Sequence, residues 1–162
     1  MASSGTAGCP YPAWYQLFFL FIEPVSTVVG AYYAHLQPNT YLALTHAPSA
    51  PPITGGLLPP LGTKIVLSQL ANLYLAFALN EALVLRSSHD IRVWRTLLLG
   101  LLIADFGHLY SVSPLGPSIY WEFQRWNAID WGNIGFVYVG AATRIAFLLG
   151  LGIKARVTKQ KK

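Results

Sequence analysis

The stretch VWRTLLLGLLIADFGHLYSV, residues 93–112, decides the fold. A helix that crosses a bilayer needs about 20 mostly apolar residues, because it rises 1.5 Å per residue through hydrocarbon about 30 Å thick. This stretch has that length, begins with Trp94 and Arg95, and carries Asp105 and His108 inside its apolar run. It is predicted to span a membrane while holding ionisable groups within it. Residues 13–35, 64–85 and 132–153 have the same character. The expectation is therefore an all-α integral membrane bundle of four transmembrane helices, a single domain over residues 1–162.

Composition agrees, with 54% hydrophobic and only 10% charged residues, where a soluble domain has about 25% charged. The net charge of +5 does not indicate nucleic acid, because five of the eleven basic residues (Lys154, Arg156, Lys159, Lys161 and Lys162) form one membrane-flanking cluster. The single cysteine, Cys9, leaves no intrachain disulfide and no cysteine-rich zinc site. Residues 1–12 lack the basic start of a cleavable signal, so the first span reads as retained. Residues 36–63 contain Pro38, Pro48, Pro51, Pro52, Pro59 and Pro60 and read as an extended loop.

Orientation follows the placement of Lys and Arg. With a cytoplasmic N-terminus, Arg86, Arg92, Arg95 and the basic cluster lie in the cytosol, against Lys64 and Arg125 on the far side, a bias of eight to two. Both termini are expected in the cytosol. Trp14 and Trp94 would form one aromatic belt, and Trp121, Trp126 and Trp131 the other. Residues 117–131 read as an interfacial helix or an early start to the fourth span. Ser26, Gly30 and Ala34 on the first span, and Gly132, Gly135 and Gly140 on the fourth, offer sites of close helix approach.

Charges at membrane depth cost about 2.5–3.5 kcal/mol each on the mildest scale, so they mark function or a deliberate pairing. Glu23 and Arg144, of opposite sign at similar depth, are expected to pair. Asp105 and His108 share a helical face, the arrangement of a proton-transfer couple or of an interhelical hydrogen bond. Were residues 120–133 helical, Glu122, Trp126, Asp130 and Asn133 would form one face, bringing Asp130 and Asn133 near Asp105 at the non-cytoplasmic mouth. The plain alternative for Asp130 is a helix cap. Gln69, Asn72, Ala76 and Asn80 make one polar stripe on the second span, with Glu81 beside it, shallow enough to reach water.

The runs FFLFIEP (18–24), GAYY (30–33) and WNAIDWGNIGFVY (126–138), followed by Arg144, look like a group of small fungal membrane proteins of largely unassigned function. That group is similar in size and style to membrane-bound epoxide hydrolases and cyclases of polyketide and terpenoid pathways. The four-span layout with a basic tail also resembles the sterol-isomerase and sigma-receptor-like superfamily, although the tail lacks a lysine third from its end. The resemblance implies an acid/base enzyme working on a lipophilic substrate; residence in the endoplasmic reticulum is expected from the membrane type and not from the tail.

The resulting expectation is epoxide opening with Asp105, Asp130 and Arg144 as acid, base and charge-tuning cation, His108 adjusting Asp105, and Glu23 supporting Arg144. Asn133, Tyr110, Trp126 and Asn72 would contact substrate or water, with no metal and no cofactor. Protonation-driven cyclisation or isomerisation would use the same residues. A non-catalytic lipid binder or complex subunit is the rival from another class, and a homo-oligomer stays open. Catalysis requires at least two acids at one cavity; structural glue requires each acid to be consumed by its own partner.

Overall fold

The computed structural model describes residues 11–52 and 58–153; Cys9, residues 53–57 of the Pro-rich connection and the basic cluster beyond Ile153 lie outside the described residues. The chain is all-α. Its helices are α1 (Ala13–Leu36), α2 (Pro38–His46), α3 (Leu61–Ser87), α4 (Ile91–Ser111) and α5 (residues 128–148). Among the described residues, α1, α3 and the stretch Ile91–Leu115 that begins with α4 are long and apolar enough to cross a membrane. These three helices mark the chain as a membrane protein. The helix α5, which carries Asp130, Asn133 and Arg144, is not among them.

The bundle is built from two helix pairs, α1 against α3 and α4 against α5. Along α3 the inward positions Leu67, Ala71, Tyr74, Ala78, Glu81 and Leu85 recur at alternating steps of four and three, the spacing of a packed helix seam. Gly30 of α1 lies beneath the Tyr74 ring, where an added Cβ would stand 3.3 Å from Tyr74 Cε2. Of the small residues expected to bring helices together, Gly30 and the buried Ala34 do so. Those of α5 serve differently: Gly140 makes room for the Arg144 side chain, Gly135 meets the Trp131 and Trp126 rings, and Gly132 has open space.

Pro24 explains an irregularity in α1. Proline has no N–H, so the carbonyl of Leu20 loses its helical partner. The chain there winds as a π-helical segment, Phe18–Ile22, and Arg86 of α3 donates to Leu20 O at 2.8 Å while lying 4.6 Å above the Phe21 ring. The freed carbonyl is thereby satisfied by the neighbouring helix, as the hydrocarbon requires.

One end of the bundle gathers the chain before α1, the α3–α4 turn and the turn after α5. Tyr11 Oη donates to His89 O at 3.0 Å, and Tyr15 Oη to Leu151 O at 2.9 Å. Below them Phe18, Phe19, Trp94, Leu98 and Phe147 form an aromatic-rich core. Trp94 is fully buried in it, its indole N–H on Ser88 O, so it is a core residue and not part of an interfacial belt. Trp14, Trp121 and Trp131 are each about half exposed or more.

At the opposite end two expectations are corrected. Residues 38–46 are helical: Pro38 occupies the first helical position, where its missing N–H costs nothing. Residues 113–125 form separate 3-10 turns, so no helix runs from Pro117 to Trp131 and the proposed face of Glu122, Trp126 and Asp130 does not exist. The helix α5 starts at Ala128, so the early start left open for the fourth span holds for its last four residues only, and it ends at Leu148 where Gly150 (φ 78°) closes it.

Candidate functional site

Arg144 is the centre of the site. Its Nη1 donates to Asp105 Oδ2 at 2.7 Å, and its Nη2 donates to Glu23 Oε1 and to Glu81 Oε1, the latter at 3.3 Å. Each helix of the two pairs contributes one member: Glu23 from α1, Glu81 from α3, Asp105 from α4 and Arg144 from α5. Glu81 is 1% exposed, Arg144 2% and Glu23 8%. The single guanidinium therefore ties both pairs together.

Local geometry aims these groups. The π-helical segments Phe18–Ile22 and Asn80–Val84 pack on each other, the first leading directly into Glu23 and the second containing Glu81. An inserted residue rotates the following turn, and such bulges recur at functional sites. A third π segment, Trp131–Phe136, carries Asn133.

The cluster forms one end of a cavity of about 300 Å³ between the helix pairs. At its other end Tyr41 and Tyr74 join hydroxyl to hydroxyl at 3.2 Å, beside His108 and Asn133. Two lining groups, Glu23 Oε2 and His108 Nε2, are buried without a hydrogen bond among the described residues. The helix α2 packs against α1 and the start of α5 at this end, and Asn127 Nδ2 donates to Leu44 O at 2.8 Å.

The expected residues divide cleanly. Glu23, Arg144, Asp105, His108 and Asn133 meet at the cavity. Asp130 does not join them. It completes a capping box at the start of α5, accepting from Asn127 N at 3.0 Å while its own N–H donates to Asn127 Oδ1 at 3.1 Å. Trp126 does not line the cavity; its indole N–H holds Ile119 O at 2.8 Å and its ring meets Trp131 edge to face. Tyr110 is 79% exposed. Asn72 lies on the outer face of α3 with Gln69 and Asn80, opposite in sense to the inward stripe expected.

Glu81 is the residue that sequence reasoning undervalued. Arg86, little more than a turn away, makes Glu81 look shallow in the sequence, yet α3 continues to Ser87 and the side chain turns inward. The signal was present: Glu81 occupies one position of the otherwise apolar or aromatic inward row from Leu67 to Leu85. A carboxylate in such a row needs a partner.

No group of three or more His, Cys, Asp or Glu able to hold a metal occurs among the described residues. No curated protein and no solved structure matches the chain. Residues 10–154 match the family model described as Domain of unknown function (DUF7704), and the chain belongs to that family.

Proposed function

We propose that the protein is a four-span membrane enzyme of the endoplasmic reticulum, both termini cytosolic, that opens an epoxide on a lipophilic polyketide or terpenoid by acid/base catalysis without a cofactor. The observation that carries this reading is three carboxyl groups converging on one arginine at an apolar cavity. Three carboxylates around one guanidinium in a low-dielectric interior cannot all stay ionised, so the cluster holds exchangeable protons beside a carboxylate. Acid and base then coexist. Structural glue would consume each acid with its own partner, whereas here three acids share one cation and Glu23 Oε2 stays unused.

Glu23 is assigned to hand a proton to the departing epoxide oxygen. Asp105 takes the proton of the attacking water or substrate hydroxyl as its oxygen bonds to the ring carbon and the carbon–oxygen bond breaks. The cluster ends with the same number of protons, moved from Glu23 to Asp105, and proton exchange with water entering the cavity resets it. The tyrosines and Phe136 around the cavity suit an apolar substrate body, and His108 Nε2 offers it one polar contact.

The test is heterologous expression, incubation of microsomes with epoxidised polyketides and terpenoids, and mass spectrometry of products. Diol or cyclic ether is expected. Glu23→Gln and Asp105→Asn should each lower turnover by about 10²-fold or more at unchanged protein level, as for loss of a general acid or base. Asp130→Asn should retain it. Full activity of either cluster variant, or no turnover of any epoxide by the wild type, would overturn the assignment.

A further inference from the structure

The outward face of α3 is built for contact. Ile65, Gln69, Asn72, Ala76, Asn80 and Leu83 follow one another at steps of four, three, four, four and three, the spacing of a helix–helix seam with one additional residue where the π segment Asn80–Val84 begins. All six are exposed. The side chains of Gln69, Asn72 and Asn80 make no hydrogen bond among the described residues. They stand at least seven residues from either end of a 27-residue helix, about 10 Å or more inside it at 1.5 Å per residue. Lipid tails cannot bond an amide.

We propose that this seam mates with the same seam of a second copy of the chain. An amide carries both donors and an acceptor, so an identical amide is its complement. None of the six is charged; Lys64 borders the line only at its outer end, beside Ile65. Ala76 at its middle lets two backbones approach closely, the usual setting in which Asn and Gln bond across membrane helices. The inner seam of α3, which carries Glu81, is left undisturbed, so each copy keeps its own cavity. This inference does not depend on the catalytic reading.

The test uses the full chain with Cys9→Ala in lipid vesicles. Ala76→Cys on the seam is compared under mild oxidant with Ile103→Cys, an exposed position of similar depth on α4. Ala76→Cys is expected to give a disulfide-linked band of twice the chain mass and Ile103→Cys none. Resonance energy transfer between labelled copies, read across a lipid dilution series, should show association about twentyfold weaker when Gln69, Asn72 and Asn80 are all changed to Leu, at the modest measured strength of interhelical hydrogen bonds. Those leucines face lipid, so the triple variant should stay monodisperse. Monomers at every dilution, equal crosslinking at Ile103, capture of a partner of different mass at Ala76, or undiminished association of the triple variant would each overturn the proposal.

Discussion

Replacing Arg144 by Met removes the cation that Glu23, Glu81 and Asp105 share, and the consequence can be worked from the geometry. Breaking a buried pair by deleting one partner costs about 3–5 kcal/mol. Against a total stability of about 5–15 kcal/mol this is a large fraction. With about 2–4 °C per kcal/mol for a chain of this size, the thermal midpoint in mild detergent should fall by on the order of 10 °C. The reverse change, Glu23→Gln with Glu81→Gln and Asp105→Asn, should be worse. Stranded carboxyls can take up protons, but a guanidinium cannot release one. Lowering the pH should therefore recover part of the stability of Arg144→Met and none of that of the acid-neutral variant. Neutralising all four groups should fare better than either. The assay is the fraction of monodisperse protein after extraction, followed by thermal scans at two pH values. Wild-type stability of Arg144→Met, or an acid-neutral variant more stable than it, would refute the reasoning.

Asp130→Ala removes one half of the capping box, Asn127 keeping the other, and should cost about 1 kcal/mol or less, seen as a small drop in thermal midpoint with turnover retained. Gly140→Ala keeps every charge but sets a Cβ 2.8 Å from Arg144 Nη1. The guanidinium, pinned by Asp105 on that same nitrogen, must shift; a drop in turnover of tenfold or more at near-normal expression is expected, about 1.4 kcal/mol of transition-state stabilisation. Glu122→Gln should leave stability unchanged in the same scans, because its partner Arg125 is fully solvated and such exposed pairs contribute little.

The sequence carried the three long apolar helices and the inner pair of charges for one physical reason: length and apolarity are read against a fixed thickness of hydrocarbon, and an ionisable residue inside it stands out. Glu23 with Arg144, and Asp105 at its helical depth, were legible on that basis. Direction around a helix was not. Reading the stripe of Gln69, Asn72 and Asn80 as inward-facing sends Asn72 to the substrate, and reading Glu81 as shallow gives it to water; the structure reverses both. The apolar row from Leu67 to Leu85 carries the better information, since packing fixes which face is inner and a lone amide does not. Asp130 and Trp126 were misplaced because residues 113–125 turn in short 3-10 steps set by Pro114, Gly116 and Pro117, so no continuous helical face could form there.

The position of Arg144 on the last helix has a consequence for the order in which the molecule is made. Synthesis delivers Glu23, Glu81 and Asp105 before their common cation exists, so the first three long helices wait as an incomplete assembly. The helix that completes it is the one that does not qualify as a span on apolarity alone. Chains arrested before residue 144 should therefore be held by chaperones or degraded, and the arrival of α5 becomes the step at which the three carboxyl groups first gain their cation.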